Sequence, residues 1–183
     1  MRTFKLDRGR LYAIACIVER ESGLPWDSVT RALSSVEGAS AVLFRPEFVV
    51  GPAHLLAAVD YAARAFRTGQ NVARSFHVES FLFAAATNEI AKALKMFQPS
   101  FSENLLHAVI IAEDPQRCSK ALDALRRTVK SVGSPLRDEE AAKRVIRELS
   151  ISERELRATR ALSLAEAVEK CVLSRMAIAF VSR

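Results

Sequence analysis

Hydrophobic and polar positions follow two different periods along this chain, with glycine and proline marking most of the changes from one to the other. From Leu11 to Glu19 nearly every residue is apolar and several are β-branched or aromatic, which predicts a central strand. Ala41–Arg45 and Leu106–Ala112 predict two further strands, the second apolar enough to be covered on both faces, and Arg2–Leu6 predicts an edge strand. Elsewhere the period is helical. Pro25–Val36 reads as a short helix, and Pro52–Thr68 repeats Leu55, Val59, Ala62, Ala63 and Phe66 before Gly69, a natural left-handed cap. Ser75 is placed to cap a helix over Phe76–Ala86, and Thr87 or Asn88 restarts one that runs to about Phe97. Pro52, Pro115 and Pro135 each suit a first helical position, where the missing N–H costs nothing, so Gln116–Lys130 and Leu136–Leu149 are expected helices. Ser152-x-x-Glu155 and Ser163-x-x-Glu166 have the capping-box spacing. A final helix over about 164–181 lines up Leu164, Val168, Val172, Met176 and Phe180.

The order is strand–helix–strand, a helical middle, one strand, then helices. It predicts an α+β fold: a small, mostly antiparallel sheet of three to four strands packed with about eight helices, the last third of the chain helix-rich. The length of 183 residues suits one domain over 1–183 and a core that needs no disulfide or metal staple. The Gly133–Asp138 stretch is the one plausible linker, and it is short. No apolar run approaches the ~20 residues needed to cross a bilayer. The arginines before Leu11–Val18 are not followed by a small-residue cleavage site, so a cytoplasmic protein is expected.

Charge adds a second layer. The net charge of +6 comes without a basic tail, but two acid-free windows stand out, 61–78 and 124–137. The second carries Arg126, Arg127, Lys130 and Arg137. A solvated helix face is the plain reading of either window. In the first, Arg64 and Arg67 share roughly one helix face, and Arg74 lies across the Gly69-Gln70-Asn71 turn. A helix end, a turn and a helix N-terminus would gather guanidiniums and free N–H groups suited to phosphate, with Phe76 and His77 near enough to stack a base.

Catalytic constellations are thin. No GxGxxG, GxxxxGK[ST], GxSxG, HExxH or CxxC occurs, and neither a cofactor nor a metal is expected. Cys16, Cys118 and Cys171 read as buried thiols, and His54, His77 and His107 have no ligand spacing. Glu79, in an otherwise apolar helix, is either a ligand or raised-pKa acid, or a buried carboxylate bonding loop amides such as those of Gly69–Asn71.

The stretch GPAHLLAAVDYAARAFRTGQNVARSFHVESFLFAAATNEIAKAL, followed by a strand ending IIAED, resembles the PRPK-binding protein (TPRKB) family. The marks are His54-Leu55-Leu56, the alanines ending Ala65-Phe66, Gly69, Asn71, Val72-Ala73, Ser75-Phe76, Glu79, Ala84, Ile90 and Ala93. VLSRMAI at Val172–Ile178 resembles the family's terminal helix. The resemblance implies a mixed α/β fold and a non-catalytic role in KEOPS, the complex that makes threonylcarbamoyladenosine in tRNA. It implies two partners, the PRPK-like kinase/ATPase subunit and the 3′ CCA end of tRNA. On this reading Arg64, Arg67, Asn71, Arg74 and Ser75 meet tRNA, and Leu164, Val168, Val172 and Met176 meet the kinase. One departure is notable: relatives often carry Ser-Gly-x-x-Gln-Ile where this chain has Ala85-Ala86-Thr87-Asn88-Glu89-Ile90. The rival readings are a stand-alone RNA-binding module and a small enzyme without a recognisable motif.

Overall fold

A computed structural model describes residues 1–100 and 102–183, save for the side chain of Ser34. Five strands form one antiparallel sheet: β1 (Phe4–Leu6), β2 (Leu11–Glu19), β3 (Ala39–Phe44), β4 (Leu105–Ala112) and β5 (Ser131–Gly133). Eight α-helices accompany it among the described residues: α1 (Trp26–Ser34), α2 (Pro52–Thr68), α3 (Phe76–Ala84), α4 (Ile90–Phe97), α5 (Pro115–Thr128), α6 (Glu139–Glu148), α7 (Glu153–Ala158) and α8 (Leu164–Val181). The α+β class and the helix-rich last third are those the residue pattern predicts. The fifth strand is not: β5 is too short for an alternation to register, and it pairs with the far end of β2, Val132 opposite Val18.

The chain forms two compact units, residues 1–44 with 99–135 and residues 45–98 with 136–183. In the first, strands run in the order β1-β2-β4-β3, with Cys16 opposite Ala108 in the central pair. One face of that sheet (Ile14, Cys16, Val18, Leu106, Ala108, Ile110) packs on Trp26, Val29 and Leu33 of α1 and on Cys118, Ala121, Leu122 and Leu125 of α5. Burial pushes the Cys16 thiol up to about 12 and the Cys118 thiol up to about 11, which keeps both as unreactive thiols.

The second unit is helical, and its helix ends explain where its elements begin. Pro52 stands at the first-turn position of α2, as expected, just as Pro115 does for α5 in the first unit. Pro135 does not open α6. That helix starts at Glu139, because Asp138 caps it through Oδ1 to the amides of Glu140 and Ala141 (2.8 and 2.9 Å), while the Asp138 amide donates to Val50 O. Ser152 and Glu155 complete a full capping box. Ser163 accepts from the Glu166 amide, but the Glu166 carboxylate takes the amide of Leu162 rather than that of Ser163. Ser75 sits at the N-cap of α3 without a side-chain capping bond.

The N-terminus of α2 is capped from elsewhere. Glu169, buried on α8, accepts from the amides of Ala53 (2.8 Å) and His54 (3.2 Å) through Oε1, and from Arg137 Nε (2.8 Å) through Oε2. Gly51 leaves room for this carboxylate, since a Cβ there would lie 2.5 Å from Glu169 Oε1. His54, also buried, accepts from the Val50 amide at Nδ1 and bonds Ala84 O through Nε2 (3.0 Å). Burial holds its pKa below the ordinary histidine value.

Candidate nucleic-acid and partner surfaces

Both candidate surfaces belong to the second unit. The turn after α2 follows from its sequence: Gly69 takes φ +69°, the Gln70 amide reaches back to Ala65 O (2.9 Å), and the chain leaves the helix in a Schellman motif. Asn71 then closes a tight turn, its Nδ2 donating to Ala73 O (3.0 Å). Glu79, wholly buried in the first turn of α3, accepts the amides of Val72 (3.0 Å) and Ala73 (2.7 Å) on Oε2. The expected loop-bonding carboxylate is thus present, with its donors one to two residues beyond the predicted Gly69–Asn71.

Held this way, the loop borders a shallow depression of about 410 Å³ lined by Val72, Ala73, Arg74, Ser75, Val78 and Ile90. Val72 and Ile90 keep 45% and 43% of their surface exposed, so its floor is apolar while Arg74 and Ser75 give it a charged and hydrogen-bonding edge. The sequence-predicted residues separate here. Arg74 and Ser75 line the depression. Asn71 shapes the turn instead of lining it. Arg67 is exposed near the end of α2. Arg64, one turn earlier, pairs with Asp60 (2.6 Å) over the Tyr61 ring, which neutralises its charge locally. Phe76 spends its ring on Phe66 (5.7 Å), and His77 is exposed. Val72, Val78 and Ile90 are the residues that sequence reasoning missed. An apolar side chain carries no mark in the sequence of a surface site, so nothing there singled them out.

The second surface is on α8. Val168, Val172 and Met176 are completely buried in the unit's own core, and Leu164 keeps 36% exposure. Three of the four stripe residues therefore face inward and cannot meet a partner from where they stand. The helix is apolar on a second side as well: Ile178 is 67% and Val181 84% exposed, and with Ala177 and Ser182 they line an open depression of about 300 Å³. Phe180 turns inward onto Tyr61 and Phe83 (5.3 and 6.2 Å).

No group of three metal-ligating side chains occurs among the described residues. No helix among them is long and apolar enough to cross a membrane.

The family model described as Kinase binding protein CGI-121 matches residues 28–179. No curated protein matches the chain.

Proposed function

The chain belongs to the CGI-121 family of kinase-binding proteins, and from that premise we propose that it is the non-catalytic KEOPS subunit that docks the kinase/ATPase subunit and brings tRNA to it by the 3′ CCA end. The observation that carries the kinase half is the family match over most of the chain, together with an apolar helix end left at the surface. Ile178 and Val181 are the proposed anchors, since large apolar side chains that are exposed in the free protein gain most from burial against a partner. The depression beside Arg74 supports the RNA half: an apolar floor accepts a base face, and the arginine and serine on its edge accept a phosphate. Arg67 is the second phosphate contact, and Arg64, already paired with Asp60, contributes less.

Two variants test the halves separately. Arg74→Glu lowers tRNA affinity about tenfold or more and leaves kinase association unchanged, and it removes close to 0.7 from the slope of log affinity against log salt. Ile178→Glu lowers kinase affinity about tenfold or more and leaves the free chain folded, because the side chain is already exposed. Unchanged tRNA retention by Arg74→Glu overturns the RNA assignment. Unchanged co-purification of Ile178→Glu with the kinase overturns the docking assignment.

A further inference from the structure

The end of α8 and the loop that rims the RNA depression are joined by a buried charge network. Glu79 presents Oε2 to the amides of Val72 and Ala73 and Oε1 to the guanidinium of Arg183, two residues beyond α8. That guanidinium lies over the Phe83 ring (4.0 Å to the centroid) and donates through Nε and Nη2 to Asn88 Oδ1 (3.1 and 2.9 Å). Only 5% of the Arg183 side chain is exposed, and Glu79 is fully buried. A carboxylate taken out of water depends on its counter-charge, so Glu79 keeps its grip on the two amides only while Arg183 is in place. Arg74 follows Ala73 directly, and the pinned Ala73 amide therefore sets where Arg74 enters the depression.

The other half of the argument lies on the same helix end. Ile178 and Val181 face outward beside an open apolar depression, whereas Phe180 and then Arg183 turn into the core. Helix ends fray, and each fraying event here withdraws Arg183 from Glu79. Covering Ile178 and Val181 suppresses fraying and holds the guanidinium in its buried seat. We propose that Arg183 is a positioning residue that couples the two surfaces: a partner seated on Ile178 and Val181 tightens RNA binding at the 72–75 loop without touching it. The coupling rests on the kinase and RNA assignments above, and by linkage it is reciprocal, with RNA tightening the partner to the same degree.

The test uses the full chain, its kinase partner and tRNA. In the wild type, kinase is expected to raise tRNA affinity about fivefold or more and to slow hydrogen exchange at the Val72 and Ala73 amides. In Arg183→Gln those two amides exchange about tenfold faster, tRNA binding weakens, and kinase no longer improves it, while exchange at Val145 in α6 stays at the wild-type rate and reports an intact fold. Glu79→Gln/Arg183→Gln removes both buried charges together, so it folds even if the single variant does not, and it too lacks the kinase effect. Wild-type exchange at Val72 and Ala73 in folded Arg183→Gln overturns the proposal, as does kinase enhancement that survives in the double variant. If the wild type binds no tRNA, the RNA assignment fails by itself, and kinase-dependent protection of the two amides that requires Arg183 still upholds the coupling.

Discussion

Ala86 is an alanine in a glycine's conformation. It follows α3 with φ +45°, where the Ala86 amide returns to Phe83 O and the Thr87 amide to Leu82 O, the two bonds of a Schellman ending. The left-handed region costs a residue with a Cβ about 1 kcal/mol relative to glycine. Ala86→Gly is therefore expected to stabilise the chain by about 1 kcal/mol, read as a rise of about 2–4 °C in Tm; an unchanged or lower Tm contradicts this assignment. The departure from the Ser-Gly pattern is plain in the sequence, but its consequence is not, since only the backbone reveals which of the two alanines takes the strained position. His54 is a similar case. The sequence showed only that it has no ligand spacing, and the structure buries it between Val50 and Ala84, hydrogen-bonded to both, with its neutral form favoured. A folded pKa below the unfolded value means the unfolded state binds the proton first. The stability that His54 contributes is complete above the unfolded pKa of about 6.5 and is lost progressively as pH falls below it. Between pH 7 and 5, Tm should fall more steeply in the wild type than in His54→Gln; parallel curves refute a buried neutral imidazole.

At the scale of elements, long periodic segments were legible and their junctions were not. The central strands β2 and β4 and the helices α2, α5 and α8 follow from apolar runs, prolines and Gly69. The start of α6 shifted, because Asp138 caps the amides of Glu140 and Ala141 while its own amide is tied to Val50 O, a long-range bond that the sequence does not show. The cap of α2 could not be read at all: it is a carboxylate 116 residues away from the amide it accepts. The stripe expected to meet the kinase lies mostly inside the chain's own core for a related reason. A helix apolar over two sides does not declare from its sequence which side its own core takes, and packing against the rest of the unit gives Val168, Val172 and Met176 to the interior and Ile178 and Val181 to the surface. In the same way the grouping of Arg64, Arg67 and Arg74 around the turn took no account of Asp60, whose position one helical turn before Arg64 offers it a partner.

For the molecule as a whole, the family match supports a kinase partner, and the exposed end of α8 is the place proposed for it. RNA recruitment is the larger step, and its weight falls on one depression whose floor is apolar and whose rim carries Arg74. A free 3′ end can present an unstacked base and a phosphate to such a site together, whereas the interior of a duplex cannot. A direct titration of the chain with intact tRNA and with the same tRNA trimmed of its 3′ CCA therefore bears most closely on the account. The expected result is tight binding of the intact tRNA and a loss of about tenfold or more on trimming. Equal affinity for the two would contradict end recognition and favour a stand-alone RNA-binding module that grips the tRNA body.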